Sequence, residues 1–229
     1  MMPAPPPLSI IIPVLNEAAG IVDTLAALQP LRARGCEVIV ADGGSTDGSP
    51  GLARPLADRV VASDRGRARQ QNAGAAEATG DVLLFLHADT RLPADADRRV
   101  IDGLRACGRG WGRFDVRLTG RHPMLRVIER MIGARSRLSG IATGDQGIFV
   151  RREWFARAGG FPGIPLMEDV ALSKVLKRLG PPLCLRETVT TSSRRWEERG
   201  VWRTMALMWR LRLEFWLGAD PARLAERYQ

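Results

Sequence analysis

Residues 80–90, GDVLLFLHADT, decide the fold of this 229-residue chain. Their apolar run at 82–86 is too short for a helix with its own core-facing side, so we expect a strand buried on both faces. The strand ends at His87, Ala88 and Asp89. Because ligands of open α/β sheets lie beyond the carboxyl ends of the strands, Asp89 is a candidate for metal or phosphate chemistry. A simple turn before Pro93 is the alternative.

Three further segments predict strands: 8–15 (LSIIIPVL), 37–41 (EVIVA) and 59–63. Helical patterns alternate with them, so the sequence predicts an α/β fold. Polar residues fall at or just after the strand ends, and right-handed crossovers would bring these ends to one edge of a parallel sheet. These residues are Glu17, Asp42, Arg69 and Asp89. A site at that edge is therefore expected.

Two features beside this edge suit nucleotide or phosphate binding. Asp42 precedes two glycines, at a position where a carboxylate can accept hydrogen bonds from a base or ribose. Arg69 belongs to an arginine cluster at a predicted helix start, which suits an anion, although a solvated helix face is the alternative. Neither a Gly-x-Gly-x-x-Gly fingerprint nor a Gly-Lys-Ser phosphate loop is present.

Composition and charge indicate the class of binding partner and the cellular compartment of the protein. Thirty-four basic and 25 acidic residues leave a net charge of +9, which suits anionic partners, although an arginine-rich surface is the alternative. The basic residues are spread along the chain without a recognition motif, so no nucleic acid is expected. Cys36, Cys107 and Cys184 form no CxxC pair, and Pro3 and Pro7 interrupt the N-terminus before an apolar run develops. These features favour a cytoplasmic protein without a secretory signal.

Four motifs, taken together, carry a resemblance to a known family. SIIIPVLNE, ADGGSTDGS, RARQQNAGAAEATGDVLLFLHADT and GIFVRREWFARAGGFPGIPLMEDVALSKVLKRLG follow one another between residues 8 and 197. In this order they resemble the family 2 glycosyltransferases of the GT-A fold, most closely a compact bacterial branch associated with radical-SAM and selenium-related gene clusters. The resemblance implies a mostly parallel, Rossmann-like sheet flanked by helices, with a GT-A domain at 1–197 and a helical extension at 198–229.

The resemblance also implies the roles of individual residues. The family's Asp-x-Asp metal motif falls on residues 87–89, so Asp89 remains as the main protein ligand of Mg²⁺ or Mn²⁺, and one carboxylate suffices where substrate oxygens complete the shell. Asp169 is similar to the general base and Glu168 to its neighbour, while helix capping is the ordinary alternative for this pair. The nucleotide-sugar site would comprise Pro13, Glu17, Asp42, Arg69, Asn72, Asp89, Asp145, Arg195 and Trp196.

The C-terminal segment carries Trp202, Trp209 and Trp216 at intervals of seven residues. Tryptophan with arginine on an amphipathic helix suits a membrane surface, the protein's own domain or a second subunit. The expected location is the cytoplasm, including the inner face of the cell membrane.

The expected function is metal-assisted, inverting transfer of a sugar from a nucleotide diphosphate sugar to a hydroxyl acceptor, with lipid-linked hydroxyls among the candidates. The alternatives are a nucleotidyltransferase-like enzyme on a similar fold and a catalytically idle membrane-docking module.

Overall fold

The computed structural model describes residues 7–228, so the proline run that begins at Pro3 lies, apart from Pro7, outside the described residues. Eight strands are present in this range: β1 Leu8–Val14, β2 Glu37–Asp42, β3 Arg59–Ala62, β4 Val82–Phe85, β5 Thr90–Arg91, β6 Trp111–Leu118, β7 Ile148–Arg151 and β8 Leu183–Thr191. The helices are α1 Ile21–Ala33, α2 Ser49–Ala53, α3 Arg67–Glu77, α4 Ala96–Cys107, α5 Pro123–Ser139, α6 Arg152–Ala158, α7 Glu168–Leu179, α8 Arg194–Arg199, α9 Val201–Trp216 and α10 Pro221–Tyr228.

The strands form one sheet in the order β3-β2-β1-β4-β7-β6-β8-β5. Strands β1 to β4 pair in parallel, as do β6 and β8, whereas β7 and β5 run antiparallel to their neighbours. The predicted mostly parallel sheet is thus present. Its parallel half places the carboxyl ends of β1, β2 and β4 along one edge.

The apolar runs of the central strands are continuous because helices cover both faces of the sheet. In β1, Ile10 and Ile12 pack into the core on one face, and Ile11 packs into the core on the other. In β4, Leu84 packs on the same face as Ile10 and Ile12, and Phe85 packs on the face of Ile11. Alternating side chains of a strand point to opposite faces, so only a strand covered on both sides needs apolar residues throughout.

The C-terminal helices pack on the chain's own domain through one face only. Leu211 of α9 and Leu224 of α10 are buried against Leu166, Met167 and Val170, at the start of α7. The three tryptophans of α9 lie on its other side and are exposed by 61%, 59% and 72% for Trp202, Trp209 and Trp216. Within residues 7–228, no helix has the length and apolar character needed to cross a membrane.

Candidate functional site

A cavity of about 890 Å³ lies at the carboxyl ends of β1 and β4. The segments after these strands and the first residues of α3 and α7 form one side, and α5, α9 and α10 supply much of the other. Among its lining residues are many of those singled out from the sequence: Pro13, Glu17, Asp89, Asp145, Glu168, Asp169, Arg195 and Trp196.

Asp89, in the segment that follows β4, presents its carboxylate to this cavity. Its Oδ1 atom accepts hydrogen bonds from the Thr90 and Thr191 hydroxyls, at 3.2 and 3.3 Å. Thr191 closes β8, which pairs with β5 through Thr90. The far half of the sheet therefore holds this aspartate in place, while the residue itself stays exposed.

The start of α7 brings Glu168 and Asp169 into the same cavity. Met167, just before the helix, has a φ of 68°, an uncommon conformation for a side chain of this type. Asp169 accepts one backbone N–H on each oxygen, from Gly144 at 2.7 Å and from Val170 at 2.6 Å. Both oxygens keep a lone pair free for a further proton donor.

Gly144 lies between His87, which follows β4, and Asp169, at the start of α7. A Cβ atom built on it would lie 2.6 Å from His87 Nε2 and 3.6 Å from Asp169 Oδ2. A side chain at this position would therefore displace His87. The absence of a side chain lets the turn at residues 144–146 approach both groups and donate its N–H to Asp169.

The electrostatics of the site are dominated by burial. Burial and the neighbouring Asp169 raise the pKa of Glu168 to about 7, against the attraction of Arg67, whose guanidinium lies 3.6 Å away. The pKa of Asp169 is also raised by burial, although its two backbone N–H donors oppose the change. Burial and then the charge of Arg67 lower the pKa of His87 to about 3, so this imidazole is neutral.

Glu17 and Asp89, beyond the ends of β1 and β4, form a second pair of carboxylates in the cavity. The pKa of Glu17 is raised by its burial and then by the charge of Asp89, while Arg194 opposes the change. The two acids are therefore close enough to repel each other. No cluster of three or more His, Cys, Asp or Glu side chains suited to a metal ion occurs within residues 7–228.

Three residues singled out from the sequence do not line the cavity. Asp42 is buried and accepts backbone N–H groups from Gly44 and Ser45, at 3.0 and 3.1 Å, so it shapes the loop after β2. Asn72 uses its amide on the backbone of Phe161, donating at 2.8 Å and accepting at 2.9 Å.

The third residue, Arg69, projects into solvent, 3.6 Å from Asp64. The cavity is lined instead by Arg67, two positions earlier on α3. Successive helical residues are about 100° apart, so two positions separate opposite sides of a helix. The sequence predicted that an arginine of residues 65–69 would enter the site. The residue at which α3 begins determines which arginine does so.

Helix α8 adds two guanidinium groups to the cavity, from Arg194 and Arg195. Arg195 stacks on the ring of Tyr228, 4.0 Å from its centroid, so α10 orients an arginine of the site. Trp196 lines the cavity and packs against the main core. Arg194 was not predicted, although it directly precedes Arg195 and Trp196 in the sequence.

Comparison with known proteins connects this geometry to a family. The sequence profile of Glycosyl transferase family 2 matches residues 9–157. The succinoglycan biosynthesis protein ExoA of Rhizobium meliloti is 37% identical over 108 residues, which cover 43% of this chain and 33% of that protein. The chain thus spans well under two thirds of this relative's length.

Solved structures show the same fold. A mannosyltransferase from Pyrobaculum calidifontis, in complex with GDP-Man and Mn²⁺, superposes with a TM-score of 0.61 at 23% identity, covering 82% of this chain and 58% of that one. Staphylococcus aureus TarS 1-349 with UDP superposes with a TM-score of 0.67 at 17% identity, covering 81% and 60%. These matches confirm the predicted GT-A fold. The profile match confirms the predicted family, and the chain belongs to the family 2 glycosyltransferases.

Proposed function

We propose that this protein transfers a sugar from a nucleotide diphosphate sugar to an acceptor hydroxyl, inverting the anomeric carbon. One observation carries the proposal. A carboxylate after β4, Asp89, and a carboxylate opening α7, Asp169, line the same cavity. They are the two positions that the family resemblance assigns to donor phosphates and to acceptor activation.

The donor side of the cavity has the chemistry that a nucleotide diphosphate needs. Arg67, Arg194 and Arg195 line it, as does Arg65, and guanidinium groups suit the oxygens of a diphosphate. Glu17 and the loop shaped by Asp42 would hold the nucleoside. The Pyrobaculum mannosyltransferase, which has this fold, was solved with a nucleotide sugar and Mn²⁺, which supports the same donor class here.

The residues present fit a single Mg²⁺ or Mn²⁺ ion held largely by the donor. The Asp89 carboxylate is exposed to the cavity, and among residues 7–228 its hydrogen-bond donors are two hydroxyls, both on one of its oxygens. Such an ion needs one or two protein carboxylates when phosphate oxygens and water complete the shell. Asp89 would hold it, and the bound ion would neutralise charge on the diphosphate.

The reaction follows from the two sides of the site. The acceptor oxygen gives its proton to Asp169 while it bonds to the anomeric carbon, and the bond from that carbon to the diphosphate oxygen breaks. The leaving diphosphate keeps the electron pair and stays beside the guanidinium groups of Arg194 and Arg195. Burial raises the pKa of Asp169 and so strengthens it as a base. Attack from the face opposite the diphosphate inverts the carbon.

Contact with a membrane surface is part of the proposal. The three α9 tryptophans are exposed, and one of them, Trp209, lines the cavity. With a net charge of +9, an indole-bearing surface suits anionic lipid headgroups. Acceptors at such a surface, including lipid-linked hydroxyls, would reach Asp169 from the side of α9.

A thermal-shift screen tests the donor assignment. Purified protein is heated with UDP, GDP, CDP and dTDP sugars, with and without Mn²⁺, because a ligand of the folded state raises the melting temperature. We expect one nucleotide class to stabilise the protein in a Mn²⁺-dependent way, and Asp89→Asn to abolish that shift and turnover.

Two results would contradict the proposal. One is stabilisation by nucleoside triphosphates alone, which would favour nucleotidyl transfer. The other is binding to anionic vesicles without any response to a nucleotide sugar, which would favour a docking module. Asp23→Asn, an exposed substitution on α1, serves as the control.

A further inference from the structure

The wall of the cavity opposite the donor residues combines an apolar surface with isolated positive charge. Ile128 and Met131 of α5 face the cavity together with Met205 and Met208 of α9. Between these apolar groups, each helix contributes one arginine to the lining, Arg135 from α5 and Arg212 from α9.

Arg135 is half-buried, and the inner part of its guanidinium group has no compensating partner. Its Nε and Nη2 atoms are inaccessible to solvent and have no hydrogen-bond partner among the described residues. Burial, followed by the charge of Arg212, lowers its pKa to about 10. Asp145 and Asp169 act in the opposite direction, but neither forms an ion pair with it in the described part of the chain. Buried guanidinium groups are normally paired.

Thr204 is a second residue of this wall with an unpaired polar group. It lies on α9, lines the cavity and is only 2% exposed. Its hydroxyl has no hydrogen-bond partner within residues 7–228. Buried polar groups are nearly always satisfied, so unpaired donors on two facing helices indicate a place where a ligand supplies the acceptors.

We infer that Arg135, Arg212 and Thr204 form an anion-binding subsite for the acceptor, which carries a phosphate group near the hydroxyl that it presents to Asp169. The inference rests on the proposed function and adds the class of acceptor. Two guanidinium groups match the several oxygens and the double charge of a phosphate. The Thr204 hydroxyl, about two turns before Arg212 on α9, is placed to bind a further oxygen of the same acceptor. The apolar residues beside them accept the rest of the molecule, whether it is a lipid or a small phosphate ester.

Two probes distinguish these sources. Glycerol 3-phosphate represents a small phosphate ester, and dihexanoyl phosphatidic acid, below its micellar concentration, represents a lipid phosphate. Each is titrated into the full chain by calorimetry, with glycerol as the uncharged comparison. A preference for the phosphatidic acid indicates a lipid acceptor, and equal affinity indicates a soluble one. Binding of either probe in the manner described next supports the subsite.

The variants Arg135→Gln and Arg212→Gln should each weaken phosphate binding at least tenfold. Arg130→Gln on α5 and Arg203→Gln on α9 are matched controls, because both arginines are exposed and neither lines the cavity. They should bind the probes as the wild type does. Arg195→Gln tests whether a probe occupies the diphosphate position instead. Probe affinity that falls in this variant and not in Arg135→Gln would overturn the inference.

Melting temperatures separate ligand binding from a structural role. Removing a partly buried, unpaired charge relieves a desolvation cost, so ligand-free Arg135→Gln should melt at or above the wild-type temperature. A lower melting temperature would show that Arg135 supports the fold, and would overturn its assignment as a binding residue. So would the absence of phosphate binding in a wild-type protein that still responds to its nucleotide sugar. That response also tests the donor assignment independently, because it does not involve Arg135.

Discussion

The two sides of the cavity differ in how they are built. The carboxylates of the donor side lie a few residues beyond strands of the parallel half of the sheet, Glu17 after β1 and Asp89 after β4. The acceptor side consists of α5, α9 and α10, which meet only through tertiary packing. A sheet edge places residues by chain geometry alone, whereas a wall of helices depends on many side-chain contacts. The first arrangement suits a constant nucleotide, and the second can vary with the acceptor.

Asp169 stands between the two sides, and its replacement has the largest expected effect. Asp169→Asn removes the proton acceptor and keeps the shape, so turnover should fall by roughly 10²–10⁴-fold. Release of nucleoside diphosphate measures this, and circular dichroism checks the fold. Full activity in this variant would remove Asp169 from the mechanism. A similar loss in the exposed-site variant Asp23→Asn would show that the effect is not specific.

Gly144 lies where the two sides of the cavity meet, next to His87 and Asp169. Gly144→Ala places a Cβ atom 2.6 Å from His87 Nε2, so the imidazole must move, and overpacking of this kind costs about 1–3 kcal/mol of unfolding free energy. Turnover should fall with it, because the same turn holds Asp169. Urea unfolding and activity are compared with Gly163→Ala, where no atom lies within 4 Å of the added carbon. Equal stability of the two variants would contradict the proposed close contact.

The strands on the donor side could be predicted because each depends on a local signal. A run such as that in β4 is apolar throughout only when both faces are covered, and the polar residue that ends it marks the sheet edge. Asp169 required the family resemblance, because an acidic helix start is also an ordinary cap. The subsite of Arg135 and Arg212 was not predicted, since no local pattern indicates that α5 and α9 face each other across a cavity. Arg69 was expected in the site instead of Arg67 because the residue at which α3 begins, which decides the arginine that faces the cavity, is not evident from the sequence.

Glu168 provides a test that depends on pH rather than on substrate. Its pKa is raised from 4.5 to about 7, so the folded state holds its proton more tightly than the unfolded chain. Its contribution to stability is therefore present at low pH and is lost as pH rises from about 4.5 through 7. As pH rises from 5 to 8, the wild type should lose roughly 2 kcal/mol of unfolding free energy relative to Glu168→Gln, which has no proton to lose at this position.

Urea titrations at pH 5 and pH 8 measure this difference directly. Glu153→Gln serves as the control, because Glu153 is an exposed acid on α6. Parallel pH dependence of the wild type and Glu168→Gln would show that burial does not raise this pKa.

The smallest expected effect concerns the two faces of α9. Leu211 is buried on one face and contributes to the fold, whereas Trp202 and Trp216 are exposed by 61% and 72% on the other. Replacing both tryptophans with alanine should leave the unfolding free energy within about 0.5 kcal/mol. Binding to anionic vesicles should weaken by on the order of tenfold for each indole. Flotation of the protein with liposomes measures it, and neutral liposomes test the role of charge. If vesicle binding stays unchanged while the double variant remains folded, the exposed indoles do not contact the membrane, and the acceptor reaches Asp169 from solution.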